Sequence, residues 1–459
     1  MLPRERLALT DKGVAFLDKL VKKQSGCPLE MDTPIPFDEF PHKKINKNGE
    51  VTGAKGTIEN LQFLLKRYGY TVAYNVIDKT VCISGPCIAA KGIQDGAQDA
   101  AIDRIVSQSA LSGLPKGDVP RFLMNIALDN PFNPVTDYLS ALKWDGVDHI
   151  SELAKTLQVS SNTERLRDQL LKLFFIQCCA AADGAENTPN REAIAKYEYL
   201  LVFYGAQGRL KTKWLNGIIP VALKANFKDG IHLDPNNKDS VSRATGYWIV
   251  ELGELDSTFK KDVARLKAFL SEQEDVYRRP YGRANNKFTR RTCFCGSVNK
   301  AEFLLDETGN RRYWPLAIES ITLPQDAGIN MDQVWAQAQD LYMQGEPWWP
   351  SADLESKLEA HRTSFEPEIE HPLIEAIHQR YAPFTPERKA LDGARKMTAS
   401  EIYEAVRSRG DFGTPDDKDL KLIGSYMRRY NLDQFGKPDK TKPQNRTKWL
   451  MPPPNALGV

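Results

Sequence analysis

The sequence predicts an α/β protein centred on a largely parallel β-sheet, and three apolar runs carry that prediction. Residues 199–205, YLLVFYG, are continuously apolar and end directly in a Gly-rich turn. Such a run marks a strand buried on both faces, as the strands of parallel sheets are. Two further runs, GYWIVELGEL and RTCFCGSVN, follow after helical stretches. Strands alternating with helices are the pattern of a doubly wound parallel sheet.

The elements before the sheet read as follows. Leu7 to Lys23 predicts a helix, and the polar, Pro-containing stretch after it, ending in KKINKNGEVTG, predicts a loose region. TIENLQFLLKRYG places Ile58, Leu61, Leu64 and Leu65 on one helical face. TVAYNVI and TVCIS, joined by Asp78–Lys79, predict a hairpin. AQDAAIDRIVSQSALS and VPRFLMNIALDN read as helices, ended by Pro131 and Pro134. Asp145–Gly146 is a turn signal, and Arg165 to Ala182 predicts a long, largely apolar helix. Beyond Pro315 the chain turns helical again, and SFEPEIEHP marks a boundary near residue 367. The expected organisation is an accessory α+β region over 1–115, a helical region over 116–190 and a core carrying the sheet over 191–330. A helical extension over 331–366 and a module over 367–459 complete it.

Bulk properties exclude several classes. The chain has 459 residues and a net charge of +2, so any nucleic-acid surface has to be local. No apolar run approaches the ~18 residues of a membrane span, and the N-terminus lacks the apolar core of a signal peptide. A cytoplasmic location and no membrane partner are expected. Seven cysteines and six histidines fall at no metal-ligand spacing, so reduced, buried thiols are expected and a zinc enzyme is not.

The chemistry concentrates after the first sheet strand. Residues 205–212 read GAQGRLKT, against the phosphate-loop pattern G-x-x-x-x-G-K-[ST]. Gly205, Lys211 and Thr212 fall at the required spacing, and Leu210 stands where the last glycine belongs. In such a loop the backbone N–H groups of Gly205, Ala206, Gln207, Gly208, Arg209 and Leu210 curl around phosphates. Lys211 neutralises phosphate charge, and the Thr212 hydroxyl ligates Mg²⁺. A left-handed leucine costs about 1–2 kcal/mol, enough to weaken nucleotide binding roughly tenfold, although Gly208 can absorb part of the bend. Taken alone, the loop fits a polar strand-to-helix turn equally well.

Downstream residues favour the nucleotide reading. WIVELGELD puts Glu251 at the end of an apolar strand and Glu254 three residues later, where carboxylates hold Mg²⁺ and orient an attacking water. CFCGSVN brings Asn299 out where it can touch a γ-phosphate or that water. GNRRYWPL then offers Arg311 and Arg312, either of which suits an arginine finger reaching a neighbouring subunit. Between the acid strand and the Asn strand lies YRRPYGRANNKFTRR, with Arg278, Arg279, Arg283, Lys287, Arg290 and Arg291, two tyrosines and no acid. A basic hairpin with interleaved aromatics suits a single nucleic-acid strand.

Together GAQGRLKTKW, WIVELGELD, LKAFLS, YRRPYGR, GSVNKAEFL, GNRRYWPL and the upstream NPFNPVTDYLSALKWDGV resemble the virulence-associated protein E family over roughly residues 55–330. That family is found on phages, satellites and genomic islands and is related to superfamily 3 helicases. The resemblance implies an AAA+-like P-loop ATPase that forms a homo-oligomeric, hexameric ring around DNA, with ATP and Mg²⁺ as cofactors. By position it implies Lys211 and Thr212 as the phosphate and metal pair and Glu251 and Glu254 as the acidic motif. Asn299 becomes the sensor, Arg311 or Arg312 the finger, and 278–291 the channel hairpin. Relatives usually have glycine at the position of Leu210, so the alternative is a weak or inactive P-loop protein that binds DNA or host or phage replication proteins.

The last module reads as helix–turn–helix–wing. MTASEIYEAVRSRG carries a cap at Thr398 or Ser400, DKDLKLIGSYMRRYN is a second helix, and NRTKWLMPP a strand. Residues 428–448 hold seven Lys/Arg against two Asp/Glu. A winged-helix-like fold contacting DNA through Arg428, Arg429, Lys437, Lys440 and Lys442 is expected, with a basic packing subdomain as the alternative.

Overall fold

A computed structural model of the chain describes residues 33–85, 96–190, 192, 197–253, 255, 263–277, 286–299, 310–362, 372–381, 389, 392–407, 414–429, 434–435 and 448–455. The helix expected over Leu7–Lys23 lies outside them. The chain divides into two units, Met1–Asn299 with Arg312–Glu355, and Lys300–Arg311 with Ser356–Val459.

The first unit opens with a ribbon where a loose region was expected. Strands β1 (Lys43–Ile45) and β2 (Val51–Ala54) pair antiparallel. Asn46 explains the order: its Oδ1 accepts from the backbone N–H groups of Asn48 and Glu50, both at 2.9 Å. Gly49 turns the chain at φ 81°. An Asn side chain that mimics a backbone turn followed by Asn-Gly is a hairpin signal hidden by the polar composition. Helix α1 (Ile58–Arg67) is N-capped by Thr57, and it buries Leu61, Leu64 and Leu65 as its periodicity requires. Strands β3 (Thr71–Asn75) and β4 (Thr80–Ser84) form the expected hairpin, Thr71 opposite Ser84 and Asn75 opposite Thr80. Helices α2 (Ala97–Leu111) and α3 (Val119–Leu128) add Ile105 and Leu123 to the same core, and β5 (Pro131–Phe132) pairs with β3.

Helices α4 (Pro134–Ala141) and α5 (His149–Ala154) and strand β6 (Leu157–Gln158) lead to α6 (Glu164–Asp183). From Leu170 onward nearly every residue of α6 is buried, as a helix apolar on all sides must be. The central sheet contains β7 (Leu200–Tyr204), β8 (Phe227–Ile231), β9 (Ile249–Leu252), β12 (Cys293–Val298) and β13 (Tyr313–Ala317), in the order β13-β7-β12-β9-β8. Every pair in it is parallel. The three apolar runs are its inner strands, β7, β12 and β9. The edge strands were not legible as runs: β8 carries Asp229 and Gly230, and β13 carries Pro315, which an edge position tolerates.

Between these strands lie α7 (Lys211–Gly217), α8 (Lys238–Ala244), α9 (Val263–Leu270) and the antiparallel pair β10 (Glu274–Tyr277) and β11 (Asn286–Thr289). After β14 (Ser320–Ile321), helix α10 (Met331–Met343) sets Trp335 between Phe175 of α6 and Trp248, with ring centroids 4.6 Å away on each side. Helix α11 (Ala352–Arg362) follows. Cys178, Cys179, Cys293 and Cys295 are free, buried thiols, as expected.

The second unit runs α12 (Pro372–Tyr381), β15 (Arg395–Thr398), α13 (Ala399–Arg407), α14 (Asp417–Arg429), β16 (Gln434–Phe435) and β17 (Lys448–Met451). Its antiparallel sheet has the order β15-β17-β16. Thr398 caps α13 reciprocally: its hydroxyl accepts from the Glu401 N–H at 3.3 Å, and Glu401 accepts from the Thr398 N–H at 2.7 Å. Leu373, Ile377, Met397, Ile402, Val406, Ile423, Met427, Trp449 and Met451 form a core of its own.

Candidate functional site

The loop 205–210 joins β7 to α7 under tight constraints. A Cβ on Gly205 would lie 2.8 Å from the Ile318 carbonyl oxygen, so only glycine fits against the neighbouring strand. Gly208 is left-handed, at φ 82°. Leu210 is left-handed too, at φ 59° and ψ 15°. Gly208 therefore does not spare Leu210 the conformation that a glycine would hold without strain. Ala206, Gln207, Gly208, Arg209 and Leu210 are all exposed.

Five side chains meet beyond this loop. Lys211 is 7 % exposed, and its Nζ donates to the Gly205 carbonyl, to the Ala206 carbonyl at 3.1 Å and to Asn299 Oδ1 at 3.0 Å. Thr212 Oγ1 donates to Glu251 Oε1 at 2.7 Å. Ser297 Oγ donates to the same oxygen at 3.2 Å. Ser297 escaped the sequence reading, although a lone hydroxyl in the apolar run CFCGSV was its signal. Burial pushes the Glu251 carboxyl above the usual carboxylate range, and the Asp229 charge pushes the same way. The bonds from Thr212 and Ser297 and the Lys211 charge oppose that rise.

The arrangement follows from the sheet order. Lys211 and Thr212 follow β7, Asn299 follows β12 and Glu251 is the penultimate residue of β9, three neighbouring parallel strands. Open parallel sheets bind ligands at the carboxyl ends of their strands. A buried cation, a hydroxyl and a desolvated carboxylate there form a donor set suited to an anion together with a hard divalent cation. Glu254 lies outside the described residues.

Arg312 is not part of this cluster. Its Nε donates to Ser271 Oγ at 2.6 Å and lies 3.0 Å from Glu198 Oε2, and Ser271 donates to Glu198 at 2.9 Å. Arg311 is exposed. Glu198 and Ser271 had no sequence signal, because each becomes a partner only through the fold.

The basic run 278–291 needs two corrections. Arg290, expected to meet nucleic acid, is fully buried. Its guanidinium pairs with Asp275 and lies 4.1 Å from the centroid of the Phe269 ring. Lys79, from the β3–β4 turn, approaches the other Asp275 oxygen at 3.5 Å and donates to the Thr245 carbonyl at 2.8 Å. Arg291, also expected at the interface, donates to the Ala182 carbonyl at 2.7 Å and to Glu186 at 2.8 Å. It thereby caps the C-terminal end of α6. The run contains no acid of its own, but the fold supplies Asp275 and Glu186 from outside it. Lys287 stays exposed, 3.2 Å from Glu274. Arg278, Arg279 and Arg283 lie outside the described residues.

In the second unit Arg428 and Arg429 end α14, and the placement of their side chains lies outside the described residues, as do Lys437, Lys440 and Lys442. The opposite end of α14 is acidic. Asp416 accepts from the N–H groups of Lys418 and Asp419, both at 2.8 Å, and Asp417 and Asp419 occupy the first turn. Among the described residues, no group of three or more His, Cys, Asp or Glu could hold a metal. No described helix is long and apolar enough to cross a membrane.

Residues 139–367 match the virulence-associated protein E-like domain. No curated protein matches the chain. Among solved structures, an A-form apo structure of the NrS-1 C-terminal region (305–718) is similar over 85% of this chain and 98% of its own, with 11% identity and a TM-score of 0.44. An apo structure of the same region has 12% identity, the same coverage and a TM-score of 0.43.

Proposed function

Residues 139–367 give this chain a virulence-associated protein E-like domain, and from that premise we propose an ATP-dependent DNA helicase or replication-initiation ATPase of a mobile genetic element. The observation that carries the reading is the meeting of Lys211, Thr212, Glu251 and Asn299 at the carboxyl ends of β7, β9 and β12.

In this reading 205–212 is a phosphate-binding loop. Lys211, now bonded to loop carbonyls and Asn299, exchanges those acceptors for phosphate oxygens. Thr212 and Glu251 hold Mg²⁺, which supplies charge neutralisation on the phosphates when bound. The donor set fits, and the exposed side of the loop is open at Gly208, where a Cβ would meet nothing within 4 Å. Asn299 senses the γ-phosphate, and Glu254 orients the attacking water. In a homo-oligomeric ring, Arg311 is the first choice for the finger, because Arg312 is engaged by Glu198 within its own chain.

The second unit fits a winged-helix module by its order of helix, strand, two helices and two strands. The acidic first turn of α14 opposes insertion of that end into a groove, so DNA contact falls to Arg428, Arg429 and the segment after them. Leu210 favours a second reading, a protein with slow turnover that acts by binding DNA or replication proteins.

A DNA-stimulated ATPase assay on wild type, Lys211→Ala and Leu210→Gly separates the two. Turnover in wild type that Lys211→Ala abolishes supports the enzyme. Absence of turnover in wild type, with activity appearing in Leu210→Gly, supports the second reading.

A further inference from the structure

We propose that the β1–β2 ribbon is a duplex-DNA contact surface, a site separate from the basic run 278–291. Residues 42–55 hold four lysines, Lys43, Lys44, Lys47 and Lys55, against the single acid Glu50. Among the described residues none of these lysines has an ion-pair partner, whereas nearby acids are engaged. Glu50 accepts from Asn46 at 2.7 Å, Glu39 pairs with Arg67 at 3.0 Å, and Glu59 lies 3.5 Å from His42. The contrast with Arg290 and Arg291 is direct: their charge is taken up inside the fold, and the ribbon's is left to solvent.

The ribbon is ordered, so its charge is presented on a fixed frame. Asn46 and Gly49 fix the turn, and Phe40 and Ala54 anchor the base in the N-terminal core. Near the tip Ile45 and Val51 face each other across the strands, 63 % and 37 % exposed. Nothing in the unit's own packing requires apolar side chains there. A two-stranded ribbon is narrow enough for a B-form major groove, where lysines meet phosphates and aliphatic side chains meet thymine methyls. Single-strand sites instead rely on aromatic platforms, and 43–55 contains none. Duplex DNA is therefore the occupant that the chemistry selects. This shares with the proposed function only the premise that DNA is the partner, and does not depend on nucleotide turnover.

The test is fluorescence anisotropy of the full chain with a labelled duplex and with a single strand of equal length, titrated between roughly 50 and 200 mM salt. Wild type is compared with a variant carrying Lys43→Gln, Lys44→Gln, Lys47→Gln and Lys55→Gln, and with Lys44→Glu alone. Among the described residues none of the four side chains makes a hydrogen bond or ion pair, so an unchanged thermal melt is expected. The quadruple variant should bind duplex about tenfold or more weakly, with the log–log salt slope shallower by roughly 0.9 for each lysine that meets a phosphate. Lys44→Glu should give a smaller loss in the same direction. Failure of wild type to bind duplex would overturn the proposal, as would unchanged affinity and slope in the quadruple variant. So would a loss confined to the single strand, or displacement of duplex by polyglutamate as readily as by unlabelled DNA. Absence of ATP turnover, by contrast, would count against the proposed function and leave this binding result standing.

Discussion

The Thr212 hydroxyl donates to Glu251 Oε1 at 2.7 Å, tying the first turn of α7 to the end of β9. Two residues 39 positions apart in sequence thus share one proton-bearing bond at the mouth of the sheet.

Burial of Glu251 sets a pH dependence that this bond opposes. Burial raises the Glu251 carboxyl, so the folded site keeps a proton that the unfolded chain has already released. Stability from this group therefore falls as pH rises from the ordinary carboxylate range through the raised value. Glu251→Gln should flatten that part of the stability–pH curve, read by denaturant melts. Mg²⁺-dependent nucleotide binding should strengthen over the same range as the carboxylate forms. Thr212→Ala, which removes an opposing bond, should move that rise to higher pH. A binding profile with the same midpoint in both proteins would remove Thr212 from this role.

Leu210 holds a left-handed conformation with 39 % of its surface exposed. Relief of about 1–2 kcal/mol of strain in Leu210→Gly is partly offset by glycine's greater unfolded-state entropy, about 0.5–1 kcal/mol. A net gain of up to roughly 1 kcal/mol in unfolding free energy is expected. Nucleotide affinity should improve by up to about tenfold in titration calorimetry. A destabilised variant would contradict the strain assignment.

Arg290 and Lys287 lie three residues apart and should behave oppositely. Arg290→Met strips a fully buried partner from Asp275, leaving Lys79 at 3.5 Å, and should cost about 3–5 kcal/mol. Lys287→Ala should change stability by no more than about 1 kcal/mol, because its pair with Glu274 is exposed. Chemical denaturation of the two variants reads the difference directly. Equal stabilities would mean that Arg290 does not hold the base of β10–β11.

Arg311 and Arg312 should also separate. Arg312→Ala breaks the triangle with Glu198 and Ser271 and should lower stability by about 1–3 kcal/mol. Arg311→Ala should leave the melt unchanged and, with Arg311 as the finger, abolish turnover while nucleotide binding persists. Loss of turnover in Arg312→Ala at unchanged stability would reverse the assignment.

Much of the site was legible because the chemistry of its motifs is local. Lys211 and Thr212 are adjacent, and Glu251 and Asn299 each close an apolar run, so strand ends could be read from hydrophobicity. Ser297 and Asp229 were not legible, since a hydroxyl inside a strand and an acid on an edge strand gain meaning only through their neighbours. The β1–β2 ribbon was missed for a different reason. It buries little apolar surface, and a side-chain turn at Asn46 replaces the hydrophobic signal that usually announces a strand.

The sequence by itself determined the parallel sheet and the loop at its centre, because buried strands and a glycine-dependent turn leave periodic and compositional marks. It also determined that Leu210 would be the strained position, since backbone sterics belong to the residue type. Only the tertiary structure decided which positive charges remain available. Arg290, Arg291 and Arg312 are neutralised by Asp275, Glu186 and Glu198, while among the described residues the ribbon lysines meet no acid. Charge pairing acts through space over a few ångströms, and a count along the chain cannot see an acid that folding brings from elsewhere.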